Sequence, residues 1–401
     1  MSKSNETTPN VPTLRFAEYT DEWHIYALSD FVTRITRRNK NNESSLPLTI
    51  SAQYGLVDQI TFFNKTVASV DLSGYYLLYN GDFAYNKSYS NDYAWGAVKR
   101  LDKYEKGCLS SLYFVFRPTD KVDSDYLTHY FETNKWHKGI SDIAGEGARN
   151  HGLLNMAVDD YFATKHYLPS LSEQKKIACF LNLITKRIEI QNKIISKYET
   201  LIKGLYTQIQ SKSAKKEYRI CDIVKCHSVG LLSKENLIES GSKKCILYGE
   251  LFTTYDEVIN EIKSRTNVDG YISQGNEILF PSSTTVDAMS LIAPSALNEK
   301  GILLGGDMFV LELLSGFNNE YISYYLNLIA KRNLAKYGQG TTITHLYFEH
   351  IKNVLLYLPD FSIQISIASK MRKLKTKIQI EKEMLSALQK QKAFLLQSMF
   401  I

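Results

Sequence analysis

The sequence predicts an α+β fold: two strand-rich mixed α/β domains separated by two long helices that form an antiparallel coiled coil, with a pseudo-two-fold internal repeat. Three observations carry this. An eleven-residue motif occurs twice at a constant offset of 190, an apolar heptad follows each copy, and the segment before each copy is rich in short Tyr, Phe, Val, Ile and Thr runs broken by Gly and Asn.

The motif runs from Leu168 to Ala178 as Leu-Pro-Ser-Leu-Ser-Glu-Gln-Lys-Lys-Ile-Ala. It returns from Leu358 to Ala368 as Leu-Pro-Asp-Phe-Ser-Ile-Gln-Ile-Ser-Ile-Ala, with six of eleven positions identical. Each copy reads as a helix start. The proline lies just outside, Ser172 or Ser362 is the expected N-cap, and Glu173 occupies the first turn, where the helix dipole favours an anion.

The heptads define the expected seam. In the first helix, Ile177, Leu181, Ile184, Ile188, Gln191, Ile195, Tyr198, Ile202, Leu205 and Ile209 follow a 4-3-4-3 spacing. The same offset gives Ile367, Met371, Leu374, Ile378, Glu381, Leu385, Leu388, Lys392, Leu395 and Met399 in the second. Sustained spacing of this kind indicates a coiled coil. Each helix covers about 36 residues, or about 54 Å. If the second runs back along the first, centred pairing sets Gln191 opposite Lys392 and Ile202 opposite Glu381. The expected organisation is a flexible N-terminus over 1–12, a domain over 13–168, a helical spacer over 169–212, a second domain over 213–358 and a second spacer over 359–401. Within the second domain, 319–335 reads as helical.

Composition narrows the function. The 401 residues are 44% hydrophobic and 22% charged, as in ordinary globular proteins. Five scattered cysteines, an odd number, argue against a disulfide framework. The N-terminus shows no apolar signal-peptide core and no run is long enough to span a membrane, so a soluble cytoplasmic protein is expected. The net charge of +6 is unevenly spread: residues 1–171 carry −2, 172–219 carry +7, 220–359 carry −4 and 360–401 carry +5. Any nucleic-acid contact therefore rests on local basic clusters, not on bulk charge.

No catalytic constellation is legible. Gly81 to Ser88 imitates a phosphate-binding loop but has Asn86 where that loop needs its second glycine. There is no Gly-x-Gly-x-x-Gly after a strand, no adjacent proline pair, no His-Glu-x-x-His and no Gly-x-Ser-x-Gly. Cys221-x4-Cys226-His227 lacks a second ligand pair for zinc. Neither a catalytic residue nor a metal site is expected.

The Leu168–Ala178 motif with its heptad, its degenerate second copy, the start Glu22-Trp-His-Ile-Tyr-Ala-Leu-Ser-Asp-Phe31, Gly81-Asp82-Phe83 and the Gly-rich turn before each Leu-Pro together resemble the specificity subunit of a Type I DNA restriction-modification enzyme. The resemblance covers about residues 13–401. The second copy departs from the pattern: Ile363 replaces the acidic residue and Ile365-Ser366 replace the lysines. The resemblance implies two target-recognition domains, each reading one half of a bipartite double-stranded DNA site. It implies helices that act as a ruler and dock two modification subunits. Those subunits bind S-adenosylmethionine and methylate adenine at N6; restriction subunits using ATP and Mg join the complex. This chain would bind no cofactor and supply specificity alone.

Candidate DNA contacts follow from residue chemistry. In the first domain they are Tyr85, Asn86, Lys87, Ser88, Tyr89 and Asn91, then Arg149, Asn150 and His151 in the Gly-rich turn. Arg and Asn can make bidentate contacts to guanine and adenine. Arg34, Arg37, Arg38 and Lys40 form a basic run suited to phosphates. In the second domain the candidates are Ser282, Ser283, Thr284, Thr285, Lys336, Tyr337, Gln339, Thr341, Thr342 and Thr344, hydroxyl-rich loops that also satisfy turn backbones. The alternative is a non-DNA coiled-coil scaffold joining protein partners.

Overall fold

The computed structural model describes residues 10–65, 67–90, 92–144, 152–212 and 214–401, without the side chains of 205–212. It divides into two compact units, Met1–Asn192 with Glu383–Ile401, and Lys193–Lys382.

Both units are built on the same frame. In the first, a four-stranded antiparallel sheet has the order Val32–Arg34, Phe114–Pro118, Phe83–Asn86, Ala97–Arg100. In the second, the order is Val224–Ser228, Met308–Leu313, Glu277–Pro281, Ser295–Leu297, again antiparallel throughout. A separate strand pair closes each unit: His24–Ala27 with Lys165–Leu168, and Lys216–Arg219 with Leu355–Leu358. Each pair leads into a one-turn helix, Leu28–Phe31 or Ile220–Ile223. There Asp30 and Asp222 accept a hydrogen bond from the N–H of Ala27 (2.7 Å) and Arg219 (2.9 Å). A short helix packs behind each sheet, Ser124–Tyr130 or Asn319–Tyr325. The second continues through 326–335, as its sequence predicts.

The peripheral strands differ. The first unit adds the hairpin Leu48–Ser51/Gly55–Asp58 and the antiparallel pair Tyr76–Tyr79/Lys106–Leu109. The second adds a four-stranded sheet whose central pair, Lys243–Leu247 and Leu303–Gly305, is parallel.

The first unit's core is aromatic. Phe83 stacks on Phe116 at 5.6 Å and Tyr85 on Tyr161 at 4.7 Å, with Trp136, Phe131 and Phe162 around them. Ala84 faces a second cluster with Leu78, Leu101 and Val115, so the central strand is buried on both faces. Losing one such ring costs about 3–5 kcal/mol.

The long helices span Leu171–Lys212 and Phe361–Ser398. The described seam positions are buried or half-buried, including the polar Gln191 and Glu381; the side chains of Leu205 and Ile209 lie outside the described residues. In the first unit, Ile177, Leu181, Ile184 and Ile188 share a cluster with Leu395, Leu396 and Met399, so the start of one helix packs on the end of the other. In the second unit, Lys382 lies 3.8 Å from Glu199 across the pair. Lys392 departs from a simple seam role. Its amine reaches Glu132 of the first globular segment at 2.9 Å. Burial pushes the Glu132 carboxyl up, but hydrogen bonding to His129 and the charge and bond of Lys392 outweigh it and hold the pKa at about 2.

The helix caps fall two residues earlier than the sequence suggests. Ser170, not Ser172, accepts the Glu173 N–H on its hydroxyl at 3.4 Å. Asp360, not Ser362, stands at the second start, its carbonyl accepting from the N–H groups of Ile363 (2.9 Å) and Gln364 (3.1 Å). The extended strand runs to the proline, so the next residue is the last non-helical one able to face the open N–H groups. Among the described residues, no helix is long and apolar enough to cross a membrane.

Candidate nucleic-acid interface

In each unit the central sheet strand runs past the sheet and pairs with the segment that precedes the Leu-Pro motif. In the first unit, Ser88 bridges Leu153, the Leu154 N–H donates to the Lys87 carbonyl at 3.0 Å, and the Tyr89 N–H donates to Gly152 at 3.1 Å. In the second, Ser283–Thr284 pairs with Thr344–His345 and the Leu346 N–H donates to the Ser282 carbonyl at 2.9 Å. Leu154 and Leu346 are both buried and anchor the crossing. The sequence-predicted groups of the second domain, Ser282–Thr285 and Lys336–Thr344, are thereby brought to one edge.

At that edge Gly340 has φ +113°, and a Cβ there would sit 2.0 Å from the Ile343 carbonyl oxygen, so only glycine allows the loop to fold back. Gln339 and His345 exchange backbone hydrogen bonds at 2.9 and 2.7 Å across the loop. Lys336, Tyr337, Gln339, Thr341, Thr342 and Thr285 are exposed, and Thr284 and Thr344 are half-buried. Ser282 and Ser283 are corrections. Both are buried, and the Ser283 hydroxyl donates to Asp307 at 2.6 Å, holding the loop instead of facing outward. The Thr284 hydroxyl accepts from the Val286 N–H at 3.3 Å, a local turn bond. Sequence reasoning missed Tyr347, which is exposed and stacks on His345 at 5.9 Å.

In the first unit Asn86, Lys87, Ser88 and Tyr89 occupy the equivalent stretch. Asn86 accepts the Ser88 N–H at 2.9 Å, and the Lys87 amine lies 5.0 Å from the centre of the Phe114 ring. Tyr85 is a correction. It is fully buried, its hydroxyl donates to the Trp95 carbonyl at 2.9 Å, and burial raises its phenol pKa. Asn91, Arg149, Asn150 and His151 lie outside the described residues.

The basic run divides. Arg34 and Lys40 are exposed. Arg37 is tied to Asp82 at 3.0 Å and lies over Tyr79, while Arg38 donates to the Gly74 carbonyl at 2.5 Å and lies over Tyr76. These two arginines fasten the peripheral strands, so the run does not present four free cations to phosphate. Asp82, fully buried, also pairs with Arg117 at 2.6 Å.

The exposed edge thus offers an amide, hydroxyls and a lysine, groups that bond base edges and phosphates. Among the described residues, no group of three or more His, Cys, Asp or Glu is placed to hold a metal ion.

Comparison with known proteins bears on this arrangement. Residues 212–390 match the family model of the Type I restriction modification DNA specificity domain. The fold is similar to the Type-I restriction-modification system S subunit from M. genitalium, at 15% identity over 98% of this chain and 99% of that one, with a TM-score of 0.59. It is also similar to a chain from a structural study of complex assembly and conformational transition of the type I R-M system, at 14% identity over 93% of this chain and 96% of that one, with a TM-score of 0.56. No curated protein matches the sequence.

Proposed function

We propose that the chain is a specificity subunit of a Type I restriction-modification system, the family whose DNA specificity domain matches residues 212–390, that it recognises DNA without catalysing its modification, and that each unit reads one half of a bipartite double-stranded DNA site. The observation that carries this reading is the duplicated edge. The same strand of the same sheet is extended in both units to meet the segment before the helix motif. In the second unit the edge carries Lys336, Gln339, Thr341 and Thr342 in the open. Gln339 suits a bidentate contact to adenine, and Lys336 suits a phosphate.

The two long helices set the spacing between half-sites and dock two modification subunits. Those subunits bind S-adenosylmethionine and transfer its methyl group to adenine N6. Restriction subunits, with ATP and Mg, join through the assembled complex. Segments 1–171 and 220–359 carry net charges of −2 and −4, so this chain alone binds DNA weakly, and its partners add the phosphate contacts.

The test is to co-express the chain with its modification subunit and map methylated adenines across the host genome by single-molecule sequencing. A split motif with a fixed gap, methylated on both strands, supports the reading. A continuous motif, or no methylation from a stable complex, refutes it.

A further inference from the structure

One residue of the repeated motif does the same thing twice. Gln174 and Gln364 are each 1% exposed. The Gln174 amide nitrogen donates to the Pro169 carbonyl at 3.0 Å, and its oxygen accepts the Asp123 N–H at 2.8 Å. The Gln364 nitrogen donates to the Pro359 carbonyl at 2.9 Å, and its oxygen accepts the Asn318 N–H at 3.0 Å. Asp123 and Asn318 are themselves N-caps. They open the short helices Ser124–Tyr130 and Asn319–Tyr325, whose buried tyrosines pack in the globular part of each unit. One amide therefore ties three points: the end of the closing strand, the start of the long helix, and the cap of the helix behind the sheet.

The chemistry requires glutamine. The span needs an acceptor at one end and a donor at the other, on a side chain of this length. Asparagine is one methylene short. Leucine leaves a buried carbonyl and a half-buried N–H without this partner. A glutamate carboxylate accepts the cap N–H, but its second oxygen then faces a carbonyl oxygen with no proton between them.

We infer that Gln174 and Gln364 are positioning residues that fix the angular setting of each reading sheet on its own helix, and so set how strictly the protein measures the gap between half-sites. The inference rests on the bipartite reading proposed above. Neighbouring ties differ between the units, which singles out the glutamine. Glu173 pairs with Arg15 at 2.7 Å, whereas the second copy has Ile363 at that place.

The test uses the full chain in complex with its modification subunit and duplexes that keep both half-sites while the spacer is lengthened or shortened by one base pair. The wild-type complex prefers its native spacer. In Gln174→Leu and Gln364→Leu that preference falls by about tenfold or more, because a small error at the helix start is amplified at the reading edge. Where a leucine variant does not fold, Gln174→Glu and Gln364→Glu decide by the same ratio. Their spacer preference is lost at about pH 8 and recovers towards about pH 6, as protonation restores the donor. A variant that loses activity equally on every spacer, or keeps wild-type preference, overturns the inference. A wild-type complex that methylates no split site sinks the bipartite reading instead.

Discussion

His166 lies on the strand that ends in Leu168-Pro169 and is 3% exposed. The Thr164 hydroxyl donates its one proton to the Tyr161 carbonyl at 2.7 Å, so it accepts from His166 Nε2 at 2.8 Å. Nδ1 then accepts from the Tyr130 hydroxyl at 2.8 Å. A second proton on Nδ1 would turn the Tyr130 hydroxyl away from the bond it donates, and burial lowers the imidazole pKa from 6.5 to about 4. The unfolded chain therefore takes up the proton first. The stability due to neutral His166 is complete above 6.5, declines as pH falls from there to about 4, and is level below that. The gap is worth about 3 kcal/mol in full, of which about 2 kcal/mol is lost between about pH 7.5 and about pH 5. His166→Gln keeps one acceptor and one donor but does not titrate. Trp23, Trp95 and Trp136, the chain's three tryptophans, all lie in the first unit, so urea denaturation followed by tryptophan fluorescence reports on the right half. The wild-type protein should lose about 2 kcal/mol more than the variant over that interval. Parallel losses in the two proteins would show that His166 takes up its proton freely in the folded state, and the argument would fail.

Other expectations follow from particular contacts. Arg15→Met leaves the buried Glu173 carboxylate unpaired and costs about 3 kcal/mol, whereas the double change with Glu173→Ile, the residue type at Ile363, restores most of it; a double-mutant cycle in urea measures both. Tyr85→Phe removes a bond to the Trp95 carbonyl, so it lowers stability by about 1 kcal/mol while the methylated motif, mapped by sequencing, is unchanged. Lys336→Ala weakens binding of the assembled complex to all duplexes alike and reduces the salt dependence of log K by about 1, read from titrations at several salt concentrations. Gln339→Ala instead relaxes base preference in one half-site by about 1–3 kcal/mol, read from methylation rates on single-base variants.

The helices were the most legible part of the sequence because a heptad is local and periodic. Ile184, Ile195, Ile202, Ile378, Leu388 and Leu395 are all buried, as their spacing predicts. The caps were less legible, since serines at 170 and 172 both suit a helix start and only the end of the strand chooses between them. Tyr85 shows the limit of reading a strand by alternation. Phe83 and Tyr85 face one core and Ala84 another, so every position is inside and no polar face marks the orientation. Ser282 and Ser283 look like any exposed hydroxyl run, and the Asp307 that captures Ser283 lies 24 residues away in the chain. The duplicated edge left little trace in the sequence: Gly152-Leu153-Leu154 and Thr344-His345-Leu346 share only the buried leucine that anchors each crossing.

The two units share a frame but not its trimmings. One hangs an antiparallel strand pair on it, the other a sheet with a parallel centre. Parallel and antiparallel pairs need different chain paths between their strands, so the frame tolerates rewiring of whatever is inserted between its fixed strands. A frame of this kind can accommodate the exchange of a whole insert. Under the bipartite reading proposed above, exchanging the insert of one unit would change one half-site and leave the other as it was.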